Sequence, residues 1–280
     1  MERVYLSSRI DWLELLNICK ETIKRNVSSC LETLSEPQPD LGKGAGGDSI
    51  KLVDLAAEKA IVKTFQKNNI SFTLISEESG IKNYYNNSEH FYVTIDPIDG
   101  TTNWVHEIPF FCSSIAISKK PLLSNVSVGM VIDLFHDSTY FAQKNNGAYC
   151  NGKKITSSDC RSLMDTIVGL DINTSEIETF IPKIRNLIRK VHHIRHFGAN
   201  ALELCYVADG KIGAFVDIRG KLRTTDMAAG YLILKESGGI LTDIENYPLE
   251  AKLDPKTRVN FIASGNIEIH KKILNLLKEL

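Results

Sequence analysis

Residues able to do chemistry are concentrated in the run Thr94-Ile95-Asp96-Pro97-Ile98-Asp99-Gly100-Thr101-Thr102-Asn103-Trp104, where two aspartates three apart flank a proline at the end of an apolar stretch. Asp-Pro and Asp-Gly are strong turn dipeptides, because proline fixes φ and glycine supplies φ > 0, so a plain turn accounts for the run taken alone. Three more segments deliver carboxylates in similar places. Glu77-Glu78 closes the run Phe72–Ser76, Asp226 opens a helical pattern in "TTDMAAGYLILKESGG", and Asp54 opens another after "SIKLV". Singly, each is an ordinary cap or surface charge. Convergence would change that: two ionised carboxylates ~5 Å apart repel by roughly 3 kcal/mol at an effective dielectric of ~20, so a cluster needs protons or a cation. Oxygen donors without thiol or imidazole partners favour Mg²⁺ over zinc. Gly100-Thr101-Thr102 adds backbone N–H groups and hydroxyls at an expected helix start, an anion pocket beside the carboxylates. Together these features point to metal-assisted phosphoryl chemistry.

The elements that must position these groups are readable from periodicity. Ile10, Leu13, Leu16, Ile23, Val27, Leu31 and Leu34 predict an amphipathic helix over 10–34. A Pro- and Gly-rich connector (36–47) and a second helix (53–67) follow. Residues 71–76 and 91–95 read as short strands, and 112–118, 125–133 and 138–143 as an antiparallel meander. After a loop at 151–159 the pattern alternates: strand 166–170, helix 175–189, strand 191–197, helix 200–208, strand 212–217, helix 226–237, strands 239–243 and 259–264, and helix 266–279. An α+β half over 1–155 followed by an α/β half over 156–280 is the expectation.

Composition narrows the classes. The 280 residues are 43% hydrophobic with net charge −1, which offers no electrostatic case for nucleic acid or an acidic membrane as partner. No run of 18 apolar residues occurs and "MERVYLSSRIDW" lacks a signal-peptide pattern, so a cytoplasmic protein is expected. Six scattered cysteines without a C-x-x-C pair read as structural. Gly42–Ser49 formally fits G-x-G-x-x-G, but "EPQPDL" before it cannot be a central strand, and the segment reads as a mobile loop. The basic segment 185–196 reads as a solvated helix end and strand edge, and His192 and His193 cannot share one strand face as a zinc pair.

"ISEESG" (75–80), "DPIDGTTNWVHEIPFF" (96–111) and "TDMAAGYLILKESGGILTD" (225–243), in that order, resemble the inositol monophosphatase-like, Mg²⁺-dependent phosphatases. The resemblance implies a sugar-phosphatase fold, a layered αβαβα sandwich, and two or three Mg²⁺ per active site. It implies Glu77, Asp96, Asp99, Asp226 and the Ile98 carbonyl as metal ligands, and Gly100, Thr101 and Thr102 as the phosphate cradle. Asp54 with Thr101 would orient the attacking water, with Glu77 also in the catalytic set. Asp99, Gly198, Asn200 and Asp217 would meet the substrate. The run "GAFVDIRGKLRTTD" looks like the archaeal branch, whose members often hydrolyse both inositol monophosphate and fructose 1,6-bisphosphate, and there Arg219 and Arg223 would pair with a second phosphate. Two departures stand out: Thr225 where the family usually has Trp, and Lys51 where many members have Thr. The family commonly forms dimers, so a homodimer is implied. Alternatives are a 3′-phosphoadenosine 5′-phosphate or NADP phosphatase of the same fold, a haloacid-dehalogenase-type enzyme (which uses D-x-D rather than D-x-x-D), and a metal-binding scaffold without activity.

Overall fold

In the computed structural model, residues 10–31, 41–47, 51–85 and 89–278 are described. In chain order the elements are α1 (Trp12–Leu31), α2 (Leu52–Lys67), β1 (Ser71–Ser76), β2 (Gly80–Tyr84), β3 (His90–Asp99), α3 (Thr101–Val105), β4 (Cys112–Ser118), β5 (Val126–Asp133), β6 (Thr139–Gln143), β7 (Ala148–Cys150) and β8 (Lys153–Ile155). There follow β9 (Ile167–Leu170), α4 (Ile177–Lys190), β10 (His193–Arg195), α5 (Asn200–Ala208), β11 (Ala214–Arg223), α6 (Thr224–Glu236), β12 (Ile240–Thr242), β13 (Arg258–Ser264) and α7 (Ile267–Lys278). The expected helix end at Leu34, the connector at 36–40 and the loop positions Asp48 and Ser49 lie outside the described residues.

Two sheets form. The first runs β2-β1-β3-β4-β5-β6-β7-β8 and the second β10-β9-β11-β13-β12. Strand alternation, with successive side chains on opposite faces, sorts the core into three layers of packing. In the first sheet Ile115, Ile117, Val128, Met130 and Ile132 face α1 and α2, while Ala116 and Val131 face the other way. That opposite face meets α5 and α6, whose far sides rest on Phe215, Phe261 and Ala263 of the second sheet. The alternate residues Ala214, Val216 and Ile262 close the outer layer against α4 and α7. The order is therefore helix, sheet, helix, sheet, helix.

The central pair α5 and α6 is apolar nearly all round, as a helix enclosed between two sheets must be. In α6 every residue from Thr224 to Leu234 is buried, where a surface helix would leave about half of them exposed. Three differences from the sequence expectation concern short or irregular pieces. The loop at 151–159 contains β8, and β2 and β7 form where no strand was expected. β11 continues to Arg223 rather than ending at 217, because a register shift between Asp217 and Leu222 lets residues 218–221 bulge out of the ladder.

Candidate active site

The site begins with a parallel strand pair. β1 and β3 run side by side with Ser76 opposite Ile95, so the next residues, Glu77 and Asp96, emerge at the same sheet edge. This is where open sheets with parallel strands place ligands, beyond the carboxyl ends. β3 then carries a bulge against β4: Asp96 pairs with Ser114 and Asp99 with Cys112, three residues against two. Strict alternation would send Asp96 and Asp99 to opposite faces, and the extra residue at Pro97-Ile98 reverses that. Proline suits the position because a bulge needs no ladder N–H there. The run is therefore not merely a turn.

Asp226 comes from the second half of the chain, in the first turn of α6. The Thr225 hydroxyl donates to its Oδ1 at 2.7 Å, so the residue standing in place of the family's Trp fixes the carboxylate directly. One oxygen each from Glu77, Asp96 and Asp226 lie within 4.8 Å of one another. Asp99 sits beside this group and is held by α5, with the Ala201 N–H donating to its Oδ2 at 2.6 Å. Burial first, and neighbouring carboxylates second, push Asp96 far above the usual range and Asp99 up to about 7. The donor set is all oxygen, closely spaced and mutually repelling, which fits a hard divalent cation.

Gly100 turns the chain from β3 into α3 with φ 89°, a left-handed conformation that favours glycine. It also has no room for a side chain: a Cβ there would stand 3.0 Å from Ala199 Cβ and 3.2 Å from the Gly198 carbonyl. The Thr101 hydroxyl donates to the Ile98 carbonyl at 2.8 Å and is also within bonding reach of Asp54. Asp54 accepts the Lys51 N–H at 3.0 Å as part of the α2 cap, and burial raises its carboxyl to about 7.

These groups surround one cavity of about 960 Å³. Glu77, Asp96, Ile98, Asp99, Gly100, Thr101, Thr102, Gly198, Asn200, Arg219, Arg223 and Asp226 line it. Asp54 and Asp217 do not: the first lies behind Thr101, the second is wholly buried behind Arg219. Arg219 binds Asp217 through Nε (2.9 Å) and Nη2 (2.6 Å), Asp171 through Nη2 (2.5 Å) and the Asn173 carbonyl through Nη1 (3.1 Å). Arg223 turns to Glu77 and Asp226. Both arginines thus face carboxylates.

Asp171 lines the cavity without belonging to any motif, and Lys51, which stands where many family members have Thr, lines it too. Asn103, within the DPIDGTTN motif, donates through Nδ2 to the Phe110 and Phe197 carbonyls at 2.7 Å each and so ties α3 to both segments. Cys112, one of the cysteines read as structural, donates its thiol to Asp99 Oδ2 at 3.6 Å. The described part of the glycine loop, expected to be mobile, is docked: Ala45 and Gly46 N–H groups donate to the Glu78 and Glu77 carbonyls at 3.0 and 2.8 Å, and Arg258 Nη2 to the Gly46 carbonyl at 2.9 Å. The small residues permit that close backbone approach.

Residues 13–280 match the model of the inositol monophosphatase family. The chain belongs to this family. Among its relatives, a fructose-1,6-bisphosphatase/inositol-1-monophosphatase of Methanothermobacter thermautotrophicus is 34% identical over 266 residues, covering 92% of this chain and 93% of that one. A bifunctional NADP phosphatase/NAD kinase of Methanococcus maripaludis is also 34% identical, over 286 residues, covering 95% of this chain but 49% of that protein. A crystal structure of an inositol monophosphatase-fructose 1,6 bisphosphatase superposes with TM-score 0.82 at 32% identity, covering 95% of this chain and 100% of that one. Inositol monophosphatase-family membership makes the chain a phosphoric monoester hydrolase of a metal-dependent class, with an acidic cluster able to hold metal. No helix among the described residues is long and apolar enough to cross a membrane.

The raised carboxyls have a consequence for stability. Native Asp54 and Asp99 keep protons between about pH 4 and 7 that the unfolded chain has lost, so their contribution is complete below about pH 4 and vanishes as pH rises through 7. Each is worth at most about 4 kcal/mol. His270, buried between Ser264 and Thr242 and lowered to about 4, acts oppositely between pH 6.5 and 4, by at most about 3 kcal/mol. The carboxyls outweigh it. Chelator-treated protein should therefore melt higher near about pH 5.5 than near about pH 8, and Mg²⁺ should restore the loss at the higher pH. A chelated melting temperature that climbs with pH would contradict this account.

Glu203 gives a second expectation. It lies in the otherwise apolar α5, its Oε1 accepts the Gly198 N–H at 3.2 Å, and its Oε2 has no hydrogen-bond partner among the described residues. Burial holds its carboxyl well above the usual range, which favours the protonated form. Glu203→Gln should be nearly silent in melting temperature and KM. Glu203→Ala should cost about 2 kcal/mol or more and raise KM, because it opens a cavity and unties Gly198. Equal effects of the two changes on KM would refute the positioning role.

Proposed function

We propose that the chain is a Mg²⁺-dependent phosphomonoesterase acting on inositol monophosphate and/or fructose 1,6-bisphosphate, with two or three Mg²⁺ per site. The observation that carries this reading is the meeting of the Glu77–Asp96–Asp226 cluster with the Gly100-Thr101-Thr102 turn in one cavity. The names of the relatives supply the substrate class. Glu77, Asp96, Asp99, Asp226 and the Ile98 carbonyl are the groups that would hold the cations. When bound, these supply Lewis-acid charge to the phosphoryl group and the leaving oxygen.

The chain's own residues do the rest. The first turn of α3 has N–H groups without intrahelical acceptors, and with the Thr102 hydroxyl they receive phosphate oxygens. Asp54, reached through the Thr101 hydroxyl, takes the proton of the attacking water. Asn200 and Gly198 border the sugar or polyol. Asp217 is wholly buried behind Arg219 and does not reach the cavity, whereas Asp171 lines it, so we assign to Asp171 the acceptance of a substrate hydroxyl once Arg219 is drawn away. A second phosphate would compete with Asp171 and Asp217 for Arg219, with Lys221 as a further cation on the same wall. A homodimer in the cytoplasm completes the proposal, by analogy with the family.

The test is Mg²⁺-dependent phosphate release from inositol 1-phosphate, fructose 1,6-bisphosphate, 3′-phosphoadenosine 5′-phosphate and NADP. Comparable kcat/KM on the first two supports the dual reading. Preference for NADP would support the second reading, which the Methanococcus relative favours. Silence on all four would overturn the substrate class.

A further inference from the structure

The carboxylate cluster contains its own cation. Arg223, the residue preceding α6, places Nη1 2.9 Å from Glu77 Oε1 and 3.4 Å from Asp226 Oδ2, with its side chain only 14% exposed. A guanidinium stays charged at any working pH and binds carboxylates through a rigid fork. Its charge and that of Arg258 pull down the Asp226 carboxyl against the upward push of burial. The neighbouring loop is shaped around it: a Cβ on Gly46 would come within 2.7 Å of both Arg223 Nε and Glu77 Cγ. Glycine at 46 thus leaves the space in which the guanidinium meets Glu77.

We propose that Arg223 is an intramolecular stand-in for a divalent cation. It neutralises Glu77 and Asp226 when no metal is bound, and metal loading is an exchange in which the guanidinium gives up both carboxylates. The inference rests on the reading of Glu77, Asp96 and Asp226 as cation ligands and adds a competitor to it. Two expectations follow from competition for the same oxygens. Metal affinity in the native chain is lower than the bare carboxylates would give, and the metal-free fold is spared the repulsion of an uncompensated cluster. The displaced guanidinium stays in the cavity, where a phosphate dianion is its natural next partner.

Isothermal titration of the full chain with Mg²⁺ tests this, comparing wild type with Arg223→Gln, Arg223→Lys and Glu77→Gln. Arg223→Gln should bind Mg²⁺ at least about tenfold more tightly, melt lower without metal, and gain more in melting temperature on adding it. Arg223→Lys should fall between, because the charge remains but the fork does not. Crystals of the Mg²⁺-loaded wild type should show the guanidinium beyond ion-pair distance of Glu77. Unchanged or weaker Mg²⁺ affinity in Arg223→Gln, with Glu77→Gln still losing affinity, would overturn the stand-in while leaving the metal site in place. If Glu77→Gln binds as well as wild type, the metal site itself is wrong and the stand-in falls with it. Should Arg223→Gln fail to fold, the Lys variant and the loaded structure decide alone.

Discussion

Asp99→Asn is expected to lower kcat by about 10³-fold or more, while the metal-free protein melts no lower than wild type. The two halves of this result come from the same geometry. Asp99 Oδ2 already accepts the Ala201 N–H at 2.6 Å, and an asparagine oxygen can keep that bond. What the substitution removes is the second oxygen and the charge beside Asp226. In the metal-free state that charge is a burden, since burial and Asp226 push the carboxyl up to about 7. At alkaline pH its neutral replacement is relieved of up to about 4 kcal/mol. In catalysis the same charge is an asset, because it offsets the cations and fixes where they sit. Turnover on inositol 1-phosphate and a melting curve in chelator check the pair. Near-normal turnover would remove Asp99 from the site, and a marked loss of melting temperature would show that its ionised form supports the fold.

The inverse relation between stability and activity explains which parts of the site could be read in the sequence. Glu77, Asp96 and Asp99 break local rules: they place charge at the ends of buried apolar runs, where a folding chain gains nothing from it, and Asp226 opens a helix that is otherwise buried. That signal is visible without coordinates. So are the layers, since α5 and α6 lack a polar face and must lie between two apolar surfaces. The bulge at Pro97-Ile98 was half-visible, as a proline that an internal ladder cannot accommodate. Other features were out of reach because they depend on pairing between distant segments. Arg219 and Arg223 look alike in sequence, as spare cations for a second phosphate. Only the excursion of 218–221 from β11 and the start of α6 turn one toward Asp217 and Asp171 and the other toward Glu77 and Asp226. Asp171 and Glu203 each carried a signal that was missed: Asp171 closes the buried apolar run of β9, and Glu203 is a charge within the apolar run of α5.

Asp54→Asn is expected to lower kcat by about 10²- to 10⁴-fold and to abolish the dependence of kcat/KM on pH near neutrality. Asp54 does not line the cavity, so its influence must pass through the Thr101 hydroxyl, which lies between it and the Ile98 carbonyl. One of its oxygens is occupied by the Lys51 N–H at 3.0 Å, which fixes the carboxylate and leaves the other for Thr101. As a proton acceptor it must be ionised. Burial raises its carboxyl to about 7, so the wild-type rate should climb as pH rises through neutrality and level off above it. Asparagine cannot titrate, and the limb should disappear with the rate. Thr101→Val keeps the shape of the side chain and removes the relay, so it should cost a similar factor. Because the two residues act in series, the double variant should be scarcely slower than either single one. Losses that multiply would show that Asp54 and Thr101 serve catalysis separately, and the relay would have to be abandoned.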